Sequence, residues 1–432
     1  MTQRPRIAVV GAGIVGAAVA RELAVRGADV LLLDKDDRAE GATAISWAWL
    51  NAHAKREPAY HRLNVAGMAE HAALVARLGS LRRWHFPAGN LEYATDPVHA
   101  ATMEQDVAEL RALGYPAEWV DIDWARTREP SVRIPDDVRS VAFFASEGYV
   151  LPRLLDDALI DAARAVGAQA HLNAEVLAIR PKGDHLSIES ARLDPLDVDR
   201  VVICAGRWSQ HLAEGLGLPV PLIPPDGPAS AATAFQALTV PLPIAVHGVV
   251  TTSVGNIRPE PDGRVLFQSP DLDGEADPNA PVPGHVVAEI ERRLRSILRT
   301  GRVPVRVDNA IVGKRALPKD GYTIAGFLDE NQAVYAVVTH SGITLGPLLG
   351  RLVAGEILDG QPSALLAAFR PGRFRVSAEA ESGSVGNRRR YASGTVTQRP
   401  APRADSSATP SSATMRPRAT VSTGQPRSFQ PS

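Results

Sequence analysis

The most constraining feature of this chain is a glycine-rich turn between an apolar segment and an amphipathic one, close to the N-terminus. The stretch RIAVV predicts a buried strand, and IVGAAVARELAVRGA carries apolar residues at helical spacing and ends at Gly27, a suitable helix cap. The next segment, DVLLLD, is apolar throughout, as is typical of a parallel strand covered on both faces. The chain therefore begins with a strand, helix, strand unit of an α/β fold.

Each glycine of the turn VVGAGIVG has a separate physical task. Gly11 permits the tight turn, Gly13 allows the backbone to approach a pyrophosphate, and Gly16 lets the helix pack against the sheet. Asp34 follows Gly16 by 18 residues, at the end of the second strand, where an acid binds ribose hydroxyls. The pattern predicts a dinucleotide whose phosphates lie at the helix N-terminus. The acid disfavours NADP, whereas NAD and FAD both remain open.

The pattern along the chain predicts one α/β domain built from separate pieces, with an antiparallel domain inserted into it. Prolines and alternating apolar segments become frequent after residue 219, which indicates antiparallel sheet. The predicted dinucleotide-binding pieces are residues 1–84, 140–218 and 305–375, and the predicted substrate domain comprises 85–139 and 219–304. Residues 376–432 contain few bulky apolar side chains and predict a disordered tail rich in Arg, Ser, Pro and Thr.

Composition excludes several other classes of protein. The formal net charge of −1 favours neither a nucleic-acid nor a membrane partner, although the tail holds eight arginines against three acids. Cys204 is the only cysteine of the 432 residues, which excludes an internal disulfide framework and a multi-cysteine metal site. No apolar run is long enough for a membrane helix, and no secretory signal is evident. We therefore expect a cytoplasmic protein without a resident metal.

Four further stretches separate FAD from NAD. They are GATAISWAWLNAHA, EGYVLPRLLDDAL, VVICAGRWS, and the pair GKRALPKDGYTIAG and VVTHSGITLGPLLGRLVAGEI. Together they resemble the family of D-amino-acid oxidase, glycine oxidase and sarcosine oxidase, over about residues 5 to 374. The resemblance implies a glutathione-reductase-like FAD-binding Rossmann domain carrying a mostly antiparallel substrate domain. The helix after Gly342 can also direct its positive end toward the flavin, a contact that an NAD enzyme does not need.

The resemblance implies a set of FAD contacts. Ala42 and Thr43 are expected at the pyrophosphate, with Trp47, Ala48 and Trp49 along the flavin ring. Val176 is expected to bind adenine through its backbone, and Gly206 to close over the dinucleotide. The remaining expected cofactor contacts are Ile14, Val15, Lys35, Ser341, Gly342, Ile343 and Thr344. No cysteine stands shortly before the last helix, where some relatives tether the flavin, so we expect FAD to be bound without a covalent link.

The expected substrate contacts are Arg315 and His340. Arg315 occupies the position of the family's substrate-carboxylate arginine, and its alternative is an ion pair with Asp308 or Asp320. His340 is expected near the flavin or on a backbone carbonyl. His247, on a predicted strand of the inserted domain, is a further candidate. The family often has an aromatic residue at position 257, where this chain has isoleucine, and that departure leaves a simple amino-acid substrate in doubt.

The predicted activity is oxidation of an amine or amino acid, in which FAD takes a hydride from the carbon beside nitrogen and the resulting imine is hydrolysed. Oxygen or an electron carrier is the expected acceptor, and a homo-oligomer is left open. One alternative is FAD-dependent dehydrogenation of a hydroxy compound. A second is a non-catalytic FAD-binding subunit, and a third uses the arginine-rich tail to bring the flavin domain to RNA.

Overall fold

The computed structural model describes residues 4–38, 40–53, 55–79 and 83–374; the predicted tail, 376–432, lies outside them. Within these ranges the chain forms twenty strands. They are β1 (Arg6–Val10), β2 (Asp29–Leu33), β3 (Trp49–Leu50), β4 (His85–Phe86), β5 (Asn90–Tyr93), β6 (Glu118–Val120), β7 (Val141–Phe144), β8 (Gly148–Val150), β9 (Gln169–His171), β10 (Val176–Lys182), β11 (His185–Ser190), β12 (Leu196–Val198), β13 (Arg200–Ile203), β14 (Thr233–Thr239), β15 (Val249–Thr252), β16 (Gly255–Pro259), β17 (Val265–Gln268), β18 (Val307–Lys314), β19 (Ile324–Phe327) and β20 (Val334–Val338).

Nine α-helices lie in the same part of the chain. They are α1 (Ile14–Val25), α2 (Gly41–Ala44), α3 (Pro58–Leu78), α4 (Pro97–Ala112), α5 (Ile122–Arg128), α6 (Pro152–Ala165), α7 (Ser209–Glu214), α8 (Gly284–Ile297) and α9 (Gly342–Asp359). None of these helices combines the length and the apolar character needed to cross a membrane.

The first large sheet has six strands in the order β19-β20-β13-β1-β2-β9. The pairs within β20-β13-β1-β2-β9 are parallel, and β19 adds an antiparallel edge. Helices α1, α6 and α9 and the β10-β11-β12 sheet contribute to the cores on its two faces. Because both faces are covered, the central strands are apolar along their whole length. This is the parallel sheet that the first glycine unit predicts.

The second large sheet has eight strands in the order β18-β14-β17-β16-β15-β5-β7-β6. Its strands are antiparallel except for the parallel pair β15 and β5. One face packs against α8, whose buried residues Val286, Ile290 and Leu294 recur at every fourth position. The sheet also includes β7 and β18, which the sequence assigned to the dinucleotide-binding pieces. The hydrogen bonds of this sheet therefore extend past residues 139 and 304, where the two predicted pieces of the substrate domain end. The division of the chain into domains stays a prediction.

Helices α9 and α1, which are far apart in the sequence, pack closely against each other. Gly346 and Gly350 face α1, and a Cβ built on Gly350 would lie 2.6 Å from the Ala18 carbonyl oxygen. Because Gly346 and Gly350 are four residues apart, they lie on one side of α9 and form a ridge of small residues that contacts α1. Gly342, at the start of the same ridge, lies beside Val15 in the first turn of α1. The packing thus places the N-termini of both helices on the same side of the parallel sheet.

Candidate functional site

The glycine turn after β1 has the geometry that its sequence predicts. Gly11 has a φ of +107°, and a Cβ there would lie 2.5 Å from the carbonyl oxygen of Cys204, in the residue after β13. A Cβ on Gly16 would lie 1.8 Å from the Gly11 carbonyl oxygen. Any larger residue at either position would therefore displace the turn or the helix. The turn brings the start of α1 close to the carboxyl ends of β1 and β13.

The N-terminus of α1 is open to an anion. Its cap residue, Gly13, provides no side-chain acceptor, and the Ile14 N–H donates to Thr43 Oγ1 at 3.2 Å. Thr43 thus lies at the helix end where a phosphate would receive the N–H groups. Asp34, at the end of β2, accepts from the Ala12 N–H at 2.5 Å and from the Asp36 N–H at 2.9 Å. Burial raises the pKa of this carboxyl, and both backbone hydrogen bonds act against that rise.

Beyond Asp34 the chain forms an aromatic platform that the sequence analysis missed. The Lys35 ammonium lies 4.0 Å from the Trp208 ring centroid, and the Arg207 guanidinium lies 3.6 Å from the same centroid. A Cβ on Gly41 would contact this indole at 3.7 Å. Trp208 is in the turn that begins at Gly206, which has a φ of +55°. Trp208 therefore connects two predicted cofactor residues. The Lys35 ammonium lies over its ring, and Gly206 begins the turn that contains it.

Val176 begins β10 and is joined to the Asp34 region through the turn before it. The Ala174 N–H donates to the Asp34 carbonyl at 2.6 Å, and the Asn173 N–H donates to the Asp36 carbonyl at 3.0 Å. The predicted adenine-binding backbone is thus held beside the end of β2. Ala42, which was predicted to contact the pyrophosphate, is an exposed residue of α2, next to buried Thr43.

The segment Trp47–Trp49 turns sharply at Ala48, whose φ is +54°. A left-handed alanine costs roughly 1–2 kcal/mol, and hydrogen bonds on both sides hold it. Its N–H donates to Ser46 Oγ at 3.0 Å, and its carbonyl accepts from the Val150 N–H at 3.0 Å. The turn separates the two indoles, whose N–H groups have different surroundings. Trp49 Nε1 donates to Glu147 at 2.8 Å, whereas Trp47 Nε1 is buried without an acceptor among the described residues.

An unpartnered buried N–H is costly, so the Trp47 indole is suited to a ligand that brings an acceptor. The flavin ring carries such acceptors, and this position fits the predicted contact. The other side of the same residue is fixed by a fully buried cation, since Arg258 Nε donates to the Trp47 carbonyl at 2.5 Å. Arg258 also forms a 2.6 Å ion pair with Glu260.

The start of α9 is held by three long-range hydrogen bonds. Tyr60 donates its hydroxyl to Ser341 Oγ at 2.9 Å, and the Thr344 hydroxyl donates to the Trp49 carbonyl at 3.3 Å. His71 Nε2 donates to the Ile343 carbonyl at 2.8 Å. Burial lowers the His71 pKa to about 4, so this imidazole stays neutral at pH 7. The α9 cap, Ser341, makes no side-chain bond to the helix N–H groups, which leaves them available to a ligand.

His340 and Arg315 lie near the start of α9. His340 is an exposed residue two positions before α9. Desolvation of the imidazole by the surrounding protein and the charges of Arg315 and Lys55 lower the His340 pKa to about 3. The imidazole is therefore neutral at physiological pH.

Arg315 follows β18, and its backbone N–H donates to the Ala232 carbonyl at 2.7 Å. Neither acid proposed as its partner contacts it, because Asp308 pairs with Arg264 and Asp320 pairs with Arg373. Its guanidinium instead lies 3.4 Å from Asp273 and is 28% exposed. Burial raises the pKa of Asp273 to about 6, while Arg315 and the Phe235 N–H oppose the rise.

One sequence-based expectation about the inserted sheet needs correction. His247 was predicted on a strand, but it precedes β15 and its side chain is exposed. Its backbone N–H donates to Glu129 at 2.9 Å, so the residue helps to position a buried acid. Ile257 is fully buried in the core of the eight-stranded sheet. Because side chains alternate along a strand, it is the next residue, Arg258, that reaches the Trp47 segment.

A buried polar network behind Trp49 was also missed by the sequence analysis. Glu147 is fully buried and accepts from Trp49 Nε1 and the Tyr115 hydroxyl, each at 2.8 Å. His53 lies 3.8 Å from Glu147 and 3.3 Å from Glu92. Burial raises the Glu147 pKa to about 7, although its neighbours His53, Tyr115 and Trp49 oppose the rise. The only sequence signal was a set of polar residues between apolar ones, without a spacing that could pair them.

Comparisons with known proteins identify the family of this chain. Residues 6–356 match the family model DAO, described as FAD dependent oxidoreductase. The chain is 25% identical over 388 residues to the glycine oxidase of Geobacillus kaustophilus (strain HTA426), covering 85% of this chain and 97% of that protein. It is also 24% identical over 373 residues to the glycine oxidase of Bacillus licheniformis, covering 84% of this chain and 95% of that protein.

A solved structure, the glycine oxidase from Geobacillus kaustophilus, superimposes with a TM-score of 0.73 at 22% identity and covers 85% of this chain and 99% of that one. The predicted fold and the resemblance stated from the motifs are thereby confirmed. Since the family model spans most of the sequence, this chain belongs to the DAO family of FAD-dependent oxidoreductases.

Proposed function

We propose that this oxidoreductase acts on the carbon next to nitrogen in an amine or amino acid that carries a carboxylate. The observation that carries this proposal is the Arg315 guanidinium, partly exposed beside neutral His340 near the first turn of α9. A guanidinium can bind a carboxylate with two parallel hydrogen bonds. The glycine oxidase match supports an amino-acid-like substrate.

The residues that would hold FAD fit the group. Gly11, Gly13 and Gly16 and the open N-terminus of α1 suit a pyrophosphate, with Thr43 at the same helix end. The unpartnered Trp47 N–H and the uncapped start of α9 suit the flavin. When bound, FAD would supply hydride acceptance and transfer of the electrons to oxygen or a carrier.

The protein's own contribution is to orient the substrate. Arg315 fixes the carboxylate end, and Asp273, 3.4 Å away, limits the movement of the guanidinium. His340 adds a neutral hydrogen-bonding group rather than a charge, since its pKa of about 3 makes it a weak base. The helix dipole of α9 adds positive potential beside His340.

We also propose that the FAD is held without a covalent link to cysteine. Cys204, the chain's only cysteine, is buried behind the glycine turn, where a Cβ on Gly16 would lie 3.2 Å from its Cβ. Burial raises the pKa of this thiol well above its usual range, so the reactive thiolate is suppressed. Acid precipitation of the purified protein tests this proposal: the flavin should remain in the supernatant, whereas a covalent link would leave it in the pellet.

The function is tested by anaerobic bleaching of the bound flavin with a panel of amino acids, N-methyl amino acids, amines and hydroxy acids. Arg315→Met should weaken binding of carboxylate substrates about 10- to 100-fold, because a charged hydrogen bond contributes about 1.5–3 kcal/mol. The FAD content should not change. Arg292→Met, which removes an exposed arginine of α8, is the matched control.

Loss of FAD in the Arg315 variant would mean that the arginine supports the fold instead of the substrate. Bleaching by hydroxy acids but by no amine would replace the proposed reaction with the dehydrogenation of a hydroxy compound. A flavin that none of these compounds bleaches would leave the chain as an FAD-binding subunit. Oxygen uptake during turnover would identify oxygen as the acceptor.

A further inference from the structure

Asp273, in the turn Pro270–Glu275, is the acid that faces the Arg315 guanidinium. Its Oδ1 accepts from the Phe235 N–H at 2.8 Å, and its Oδ2 lies 3.4 Å from Arg315 Nη2. The first contact anchors the carboxylate to β14, so the second oxygen has a fixed direction. The side chain is 18% exposed, and the carboxylate is therefore held in place without being closed off from solvent.

A molecule that Arg315 holds by a carboxylate comes within reach of Asp273. The Asp273 contact uses one of the five N–H donors of the guanidinium, so the others can bind a substrate carboxylate. In an α-amino acid the nitrogen is two bonds from the carboxylate carbon, and hydrogen bonds are about 3 Å long. The substrate nitrogen can therefore lie within hydrogen-bonding distance of Asp273 Oδ2.

The surroundings of Asp273 suit a group that gains and loses a proton. Burial raises its pKa to about 6, with a further contribution from Asp271, while the Phe235 N–H and Arg315 oppose the rise. Asp271 belongs to the same turn and is itself paired with Arg293 of α8 at 2.7 Å. Asp273 is therefore mostly ionised at pH 7, and it is a stronger base than an ordinary carboxylate.

The proposed oxidation requires a proton acceptor. An amine is largely protonated at neutral pH, and an ammonium nitrogen has no lone pair with which to form a C=N bond. The nitrogen must therefore lose a proton before the neighbouring carbon gives up hydride. His340 is too weak a base for this step, because its pKa is about 3.

We propose that Asp273 binds the ammonium group of the substrate and accepts its proton, as the general base of the oxidation. This inference rests on the proposed function, in which Arg315 binds the carboxylate. The proton passes from nitrogen to Asp273 Oδ2, and the electron pair of the broken N–H bond stays on nitrogen as a lone pair. That lone pair forms the C=N bond as the carbon gives up its hydrogen with two electrons to the flavin. Asp273 then returns its proton to solvent.

The binding test uses two carboxylates of the same shape, 2-aminoisobutyrate and trimethylacetate. The first has an ammonium where the second has a methyl group, and neither has a hydrogen on the carbon next to the carboxylate. Their affinities are measured on the holoenzyme from the change in flavin absorbance. At pH 7.5 wild type should bind 2-aminoisobutyrate at least about tenfold more tightly, the effect of roughly one charged hydrogen bond. Its affinity should rise about tenfold from pH 5 to pH 7.5, because Asp273 becomes ionised, whereas trimethylacetate affinity should not rise.

Variants of Asp273 assign this preference to its carboxylate. Asp273→Asn should abolish both the preference for the ammonium ligand and its pH dependence, and Asp273→Glu should retain the preference. The amide oxygen of the asparagine can still accept from the Phe235 N–H, so the turn keeps its anchor. Asp308→Asn is the matched control, because Asp308, on β18, also pairs with an arginine, Arg264.

The proton transfer is tested by the rate of anaerobic flavin bleaching with saturating sarcosine. At pH 7 Asp273→Asn should bleach at least about 100-fold more slowly than wild type, the lower end of the contribution of a general base. The difference should shrink as the pH rises, because free amine then replaces the ammonium form. A carboxylate that only supports the fold would change the rate by the same factor at every pH.

Equal wild-type affinities for the two ligands at pH 7.5 would overturn the inference. So would an Asp273→Asn variant that weakens both ligands by the same factor, because that result would limit Asp273 to holding Arg315. In either case, bleaching by sarcosine that is sensitive to Arg315→Met would uphold the proposed function. Bleaching by hydroxy acids but by no amine would refute the proposed function, and the proton transfer with it, even where Asp273 selects the ammonium ligand.

Discussion

The fully buried Glu147 makes stability depend on pH in a predictable direction. Its pKa is about 7 in the folded protein, against 4.5 for the ordinary carboxyl, because burial disfavours the charged form. The folded state therefore binds this proton more tightly than the unfolded state does. The associated stability is fully present below pH 4.5 and is lost as the pH rises through 7.

The size of the effect follows from the two pKa values. The difference between the two pKa values corresponds to about 3 kcal/mol of folding stability, and about 2 kcal/mol of it is lost between pH 5 and pH 7.5. Glu147→Gln removes the titration and keeps the shape of the side chain. The amide oxygen can accept from Trp49 Nε1, and the amide N–H₂ can donate to the Tyr115 oxygen, so both 2.8 Å contacts have a replacement.

The assay is urea unfolding of wild type and variant at a series of pH values. The free energy of unfolding of wild type relative to Glu147→Gln should fall by about 2 kcal/mol from pH 5 to pH 7.5. Glu289→Gln is the control, because Arg292 and Arg293 lower the Glu289 pKa to about 2 and the group stays ionised over this range. A difference between wild type and Glu147→Gln that does not change with pH would refute the reasoning.

Two further substitutions test the helix contact and the flavin-facing segment. Gly350→Ala should lower stability by about 1–3 kcal/mol and reduce FAD content, because its Cβ would lie 2.6 Å from the Ala18 carbonyl oxygen. Urea unfolding and the flavin-to-protein absorbance ratio measure these effects; Gly355→Ala, with no neighbour closer than 3.7 Å, should be neutral or stabilising. Trp47→Phe should weaken FAD binding about fivefold in a fluorescence titration without destabilising the apoprotein, since the lost N–H has no described protein acceptor. A less stable apoprotein with unchanged FAD affinity would contradict the assignment of this N–H to the flavin.

The sequence was most informative where one local pattern determines both structure and burial. The stretches RIAVV and DVLLLD were predicted as buried strands and correspond to β1 and β2. Both faces of this sheet are covered, so an uninterrupted apolar run was a sufficient signal. By contrast, α8 was not predicted, although Val286, Ile290 and Leu294 are spaced by four. Its charged residues and the proline-rich segment before it obscured that periodicity.

Partners of buried polar groups are a different problem, because tertiary packing rather than local spacing selects them. Arg258 lies 211 residues from Trp47, and Glu147 lies 98 residues from Trp49. A cation in the otherwise buried strand GNIRP does require a partner, since an isolated buried charge is too costly. That requirement can be read from the sequence, but many carbonyls and carboxylates in the chain would satisfy it.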